Sequence, residues 1–274
     1  MVNIEVAGEG AMAQALRRAA GRAGSWTLAD GTGRPDWVVL CEPQGISGEQ
    51  VAAWTSWAGG VLCPPCAARD RKVAQELTRL AAQGRAKALR PECFQPWVAG
   101  LREVLDGEWL GTVGTVELFR KHPLGSEDVR DALGQCGMEE ASVVLYLLGR
   151  PQRLFCTASD LGREGEQISL TLQMVGGALV NIQGVQGGTD TPYFRYEYAG
   201  QYGLAEYDSR QGGLRWNGNG VVQDPWDMQA CTQAVEQALQ SPDDNGLTDL
   251  LRLQAAALDS AARRQVISWE EAQM

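Results

Sequence analysis

The first forty residues alternate between apolar stretches and turn residues in a way that sets the fold class. Residues 2–7 read as a short apolar strand, followed at once by Gly8-Glu9-Gly10. From Met12 to about residue 23 the pattern is helical, with Leu16 and Ala19 on one face. Residues 26–29 predict a second strand ending at Asp30, and Gly31-Thr32-Gly33 predicts a turn. Residues 37–41 predict a third strand, apolar nearly throughout, as a strand buried on both faces must be. A helix over 47–58, a strand over 60–63 and a long helix over 67–83 continue the alternation. Strands separated by helices make a parallel sheet. Residues 91–105 predict one more helix, closed by Gly107 to Gly111.

After Gly111 the texture changes. Strand patterns recur at 112–119, 153–158, 167–174, 178–183 and 193–198, with glycine pairs at 176–177, 187–188 and 212–213 marking turns. One helix interrupts them near 139–148, and Leu247, Leu250, Leu251, Ala255 and Leu258 return the chain to helical spacing. The expected architecture is therefore α/β. A shortened Rossmann-like parallel sheet over 1–111 precedes an α+β domain over 112–274 with an open, mostly antiparallel sheet, its last helices packing back on that sheet.

Charge narrows the function classes. A net charge of −10 and a sequence pI near 4.7 argue against a nucleic-acid partner, because such binding rests on Lys/Arg contacts to phosphate. No apolar run reaches membrane-spanning length, so no membrane partner and a cytoplasmic location are expected. The seven cysteines are odd in number and scattered, unlike a secreted disulfide framework. Cys63-Pro64-Pro65-Cys66 has no second CxxC to complete a metal site and reads as a buried turn in preference to a redox pair. The one histidine, His122, stands at a strand end without carboxylate-rich surroundings, so no metal site is expected.

The motif with chemistry is Gly8-x-Gly10-x-x-Ala13. Its first glycine permits a tight turn, its second lets backbone approach a pyrophosphate, and the small third residue lets helix pack close to strand. It follows a strand, opens a helix through Ala11 and Met12, and has Asp30 at the end of the next strand, where a carboxylate accepts from a ribose hydroxyl. The expected cofactor is NAD or NADP, with NAD favoured by Asp30.

These segments together resemble the glucose-fructose oxidoreductase / inositol dehydrogenase / MocA family. Residues 36–43, ending Cys41-Glu42-Pro43, are similar to its strand-and-proline segment, which places Glu42 and Pro43 at the cofactor. Gly59 to Cys63 resembles the approach to its Glu-Lys-Pro motif, residues 137–151 its central catalytic helix, and residues 245–267 its final helix and strand. The resemblance implies a small-molecule substrate and a homodimer or higher homo-oligomer through the second sheet, whose aromatics (Tyr193, Phe194, Tyr196, Tyr198, Tyr202, Tyr207, Trp216) would supply that face.

The departures matter equally. Pro65 stands where that family has its lysine, and Gln135, Glu139 and Ser142 stand where it has aspartate, histidine and aspartate. The chain also runs from Asp30 to the Trp37 strand in a few residues, where the family inserts a helix, a strand and a helix. A partner-completed site remains open on sequence grounds. Two readings stand side by side. One is a reductase of an activated acceptor, with Glu139, Tyr146 or Tyr193 as proton donor. The other is a catalytically silent relative that serves as a binding or partner subunit.

Overall fold

The computed structural model of the protein describes residues 1–9, 11–31, 33–41, 46–65, 68, 70–122, 137–160, 166–187, 192–222 and 228–272. They fall into two compact units, Met1–Phe94 with Asp227–Arg252, and Gln95–Trp226 with Leu253–Gln273.

In the first unit the predicted alternation is present as β1 (Val2–Ala7), α1 (Ala11–Ala20), β2 (Trp26–Leu28), β3 (Trp37–Leu40), α2 (Gly48–Trp57), β4 (Gly60–Cys63), α3 (Arg71–Ala82) and β5 (Ala86–Ala88). The five strands are all parallel, in the order β2-β1-β3-β4-β5. Local chemistry fixes the helix starts. Ser47 and Gln50 close a capping box, with the Gln50 amide donating to Ser47 Oγ at 3.2 Å and the Ser47 amide to Gln50 Oε1 at 2.8 Å. Asp70 Oδ1 accepts from the Lys72 and Val73 amides at 2.8 and 3.0 Å, so α3 begins at Arg71, later than its apolar pattern indicates.

β1 holds this sheet together. Its even residues bond toward β2 (Val2 N to Ser25 O, 3.1 Å; Ala29 N to Ile4 O, 2.8 Å), and its odd residues toward β3 (Asp36 N to Asn3 O, 2.9 Å; Cys41 N to Ala7 O, 2.8 Å). The order of strands reverses at β1, so its carboxyl end lies at the switch point where open parallel sheets bind ligands. Ile4, Val6, Ala13, Leu16, Ala19 and Trp26 form one core, which the helix Met228–Gln240 joins through Cys231, Ala234, Val235 and Ala238.

The second unit opens with α4 (Pro96–Asp106), continues through β6 (Val113–His122) and α5 (Met138–Leu148), and then runs β7 (Pro151–Asp160), β8 (Glu166–Met174), β9 (Leu179–Gln186), β10 (Tyr193–Gly200), β11 (Gly203–Asp208), β12 (Leu214–Trp216) and β13 (Asn219–Val222). After α6, the helix Met228–Gln240 of the first unit, come α7 (Leu247–Arg263) and β14 (Ile267–Ser268). The nine strands order as β13-β12-β11-β10-β6-β9-β8-β7-β14, antiparallel except for the parallel pair β6 and β9. The expected α/β class with a mostly antiparallel second sheet is thus the observed one.

Differences from the pattern have local causes. The single helix expected over 91–105 is a 3₁₀ turn, Pro91–Phe94, followed by α4, because Gln95 precedes Pro96 and is extended (φ −63, ψ 144). α4 belongs to the second unit and α6 to the first, so the division falls at Phe94 instead of Gly111 and the chain returns across it.

Gly60 shows how tightly the first sheet is packed: a Cβ there would lie 2.5 Å from the Trp37 ring and 2.9 Å from the Arg85 carbonyl oxygen. Gly60→Ala should lower stability by about 1–3 kcal/mol, the usual range for overpacking a close-packed site. A urea titration that returns an unchanged midpoint would contradict this packing.

Candidate functional site

At the carboxyl end of β1, Gly8 has φ +95, a left-handed conformation that favours glycine, and α1 begins three residues later at Ala11. Ala13 is fully buried, so the helix lies close to the strand as the small third residue of the fingerprint requires. Met12 is half-buried in the core and the first turn of α1 carries no acid. Helix-terminal amides without a competing carboxylate suit an anion. Arg17 crosses back from the second turn of α1, its Nη2 donating to the carbonyls of Val6 (3.1 Å) and Gly8 (2.9 Å). Asp30 is exposed, two residues beyond the end of β2. The residues present therefore fit a dinucleotide: amides for the pyrophosphate at the switch point, and a carboxylate for a ribose at the end of the neighbouring strand. Gly10, Glu42 and Pro43 lie outside the described residues, as do Cys66 and Gln135.

Pro64 and Pro65 follow β4 as buried residues. The chain has only three lysines. Lys72 is exposed beside the cap of α3, Lys87 is buried and donates to the Ser241 carbonyl at 2.5 Å, and Lys121 is on β6. Cys63 is buried, and burial pushes its thiol up to about 12, which disfavours the reactive thiolate near neutral pH.

The second unit carries a charged cluster that the sequence reading missed. Arg120 on β6 donates through Nη1 to Glu139 at 2.6 Å, through Nε to Glu140 and through Nη2 to Tyr196 Oη at 3.3 Å. Tyr196 donates in turn to Glu140 Oε1 at 2.7 Å and packs at a tilt against Trp97 of α4, centroids 4.7 Å apart. Glu140 is wholly buried, whereas the Glu139 side chain keeps 23% of its exposure. Burial alone would lower the Arg120 pKa, but Glu139 and Glu140 override it and hold the guanidinium well above its ordinary range. Burial also pushes Glu140 up, against the pull of Arg120, and raises Tyr196. Both carboxylates sit in the first turn of α5, where the helix dipole favours them. A signal for Arg120 was present in the sequence: it shares strand parity with buried Val116 and Leu118, and a charge at a core-facing position requires a counter-charge.

The three expected proton donors are not gathered. Tyr146 is two turns along α5 from Glu139, a rise of about 10 Å, under the Arg102 guanidinium at 4.9 Å. Tyr193 lies across the sheet: neighbours Phe119 and Arg120 leave β6 on opposite faces, Arg120 meeting α5 and Phe119 meeting the Tyr193 ring at 5.9 Å. There Tyr193 donates to Asp208 at 3.2 Å beneath Arg210. Ser142 is fully buried in α5. His122 is the last residue of β6, in register with Gln186. Of the aromatics expected on an oligomer face, Tyr196, Tyr198 and Tyr207 are buried, and Trp97 stacks on Tyr207 and meets Tyr196 at a tilt. Among the described residues no cluster of His, Cys, Asp or Glu could hold a metal, and no helix is long and apolar enough to cross a membrane.

No family model matches the chain, and no curated protein matches it by sequence. Solved structures do match over nearly the whole length. Levoglucosan dehydrogenase in complex with NADH and L-sorbose has a TM-score of 0.76 at 13% identity, covering 97% of this chain and 98% of its own. A myo-inositol dehydrogenase from Corynebacterium glutamicum gives 0.73 at 12% identity, with coverage of 97% and 98%. Scyllo-inositol dehydrogenase from Lactobacillus casei, with bound NAD(H) and scyllo-inositol, gives 0.72 at 12% identity, with coverage of 98% and 99%. The chain thus has the glucose-fructose oxidoreductase / inositol dehydrogenase / MocA fold, in a 274-residue form.

Removing the charge of Arg120 while keeping its bulk, Arg120→Met, strands the buried Glu140 carboxylate and should cost about 3–5 kcal/mol. A melting temperature within a degree or two of the parent would contradict the cluster. Cys63 gives a pH signature. Above the ordinary thiol value of 9.0 the unfolded chain loses this proton and the folded chain keeps it to about 12. Stability should therefore fall by about 1.4 kcal/mol per pH unit from this group across that window. Cys63→Ala should flatten that part of an alkaline stability profile, and an unchanged slope would refute the burial argument.

Proposed function

We propose that this protein binds NAD or NADH at the Gly8 to Ala13 turn and acts as an oxidoreductase that reduces an activated small-molecule acceptor, such as an imine or a conjugated double bond. The observation that carries the reading is the turn itself: a left-handed glycine at the switch point of a parallel sheet, a helix opening directly after it, and Asp30 beyond the adjacent strand. The fold is one in which solved proteins hold NADH or NAD(H). The bound dinucleotide supplies the hydride. The chain's residues bind and orient it, and Glu139, partly exposed on Arg120, is the residue we retain for relaying a proton from water to the acceptor. Oxidation of polyols is disfavoured, because Pro65 stands in place of an amine and Lys87 is engaged elsewhere.

A second reading, a silent relative serving as a binding or partner subunit, is favoured by the same cluster: Glu139 is tied into an ion pair, and the other two candidate donors lie apart from it. We further propose a homo-oligomer through the open face of the nine-stranded sheet. That face is polar, its central row running Thr171, Asn181, Glu117, Glu197, Glu206 and Arg215 in register.

Thermal-shift and calorimetric titrations with NAD, NADH, NADP and NADPH test the first step, since a ligand at a hundred times its Kd adds about 2.7 kcal/mol to native stability. NADH should stabilise the protein, and no shift with any dinucleotide would sink the reading. NADH consumption over a panel of imines and enones should reveal turnover that Glu139→Gln lowers by about a hundredfold to ten-thousandfold. Inositol and glucose should give none above background, and polyol turnover that survives Glu139→Gln would mean the site is misplaced. Binding without any turnover would favour the silent reading. Light scattering should return a multiple of the 29.6 kDa chain, and a monomer at micromolar concentration would exclude the oligomer.

A further inference from the structure

Arg17 is set where the sheet runs out. β1 and β2 pair Val2 with Trp26, Asn3 with Thr27 and Ile4 with Leu28, and the Ile4 carbonyl accepts from the Ala29 amide. Were the ladder continued past its last pair, Ile4 with Leu28, Val6 would stand level with Asp30 and its carbonyl would accept from the amide of Gly31. β2 has already ended at Leu28, and Gly31, at φ +76, takes a left-handed conformation in place of an extended one. The Arg17 Nη2 group makes that bond instead, at 3.1 Å, and adds the Gly8 carbonyl at 2.9 Å. This fixes a guanidinium at the carboxyl end of β1, on the side that faces β2, with 39% of the side chain still exposed. Its ionic neighbour, Glu9, is 3.7 Å away and 86% exposed, a contact of little strength.

We infer that Arg17 is a specificity-determining residue for the adenosine ribose of the cofactor, opposed in sign to Asp30. The inference rests on the proposed dinucleotide site. A carboxylate accepts from a 2′-hydroxyl and repels a 2′-phosphate, whereas a guanidinium donates to the phosphate in a charge-assisted bond. With Asp30 two residues beyond β2 and Arg17 held at the end of the adjacent strand β1, Asp30 sets the preference for NAD and Arg17 narrows it. Loss of the carboxylate leaves a cation that is already oriented by two backbone carbonyls, so the preference should pass to NADP.

The test is calorimetric Kd values for NADH and NADPH with the parent protein, Asp30→Ala, Arg17→Met and the double variant. Asp30→Ala should make NADPH the tighter ligand. Adding Arg17→Met should weaken NADPH by about tenfold to a hundredfold, the range of one charge-assisted hydrogen bond, and leave NADH within about threefold. Arg17→Lys keeps the charge without the two-carbonyl fork and should retain part of the NADPH affinity, which separates recognition from any loss of folding in the methionine variant. An NADPH/NADH ratio indifferent to Arg17 in both backgrounds, or an equal loss of both ligands, would overturn the inference and leave the dinucleotide site standing. No binding of either ligand to the parent protein would overturn both.

Discussion

The constraint on which the first unit depends is the two-sided bonding of β1. A parallel strand presents the amide and carbonyl of each residue to one neighbour and those of the next residue to the other, so even residues of β1 hold β2 and odd residues hold β3. From this single arrangement follow the reversal of strand order, the placing of Gly8 at the switch point, and the short edge at β2 that Arg17 completes. As the sequence already indicates, the chain passes from Asp30 to Trp37 in a few residues, with no helix or strand between them among the described residues. β2 is consequently an edge strand of three residues. Edge strands are covered or capped in stable proteins. Here Trp26 is buried in the core that α6 completes, and Ser25 at the head of the strand donates to Glu236 of α6 at 2.9 Å.

The second unit is organised by a different necessity, that of a charge inside a core. Arg120 occupies a core-facing position on β6, and two consecutive glutamates at the start of α5 answer it from the helix side. A buried ion pair of this kind adds little stability over an apolar pair of the same shape, but it is costly to break. The same arrangement orients Glu139 at its partly exposed end, which links the packing of the unit to the chemistry proposed for it.

Much of this was legible in the sequence wherever periodicity and turn chemistry agreed. The strand, glycine turn and helix at residues 2–20 have strong signals of both kinds, and the structure places them as read. α6 went unread because its buried residues, Ala230, Cys231, Ala234, Val235 and Ala238, are mostly small and barely register as an apolar stripe. β5 is three residues with a lysine at its centre, and β12 is equally short, so neither develops an alternation. The grouping of Arg120 with Glu139 and Glu140 joins residues about twenty positions apart, which no local pattern reports. The tyrosines after residue 192 looked like one surface. Strand alternation instead divides them, with Tyr196 and Tyr198 buried and Tyr193 on the other face.

The central claim is that a dinucleotide engages the turn between β1 and α1. Hydrogen exchange read by mass spectrometry, with and without saturating NADH, measures this directly, because ligand contact raises the free energy of local opening at the amides it covers. The account predicts slowed exchange in peptides spanning residues 6–13 and 28–31, with α3 unchanged. Unaltered exchange across residues 6–13, in protein shown by calorimetry to hold NADH, would place the cofactor elsewhere and contradict the account.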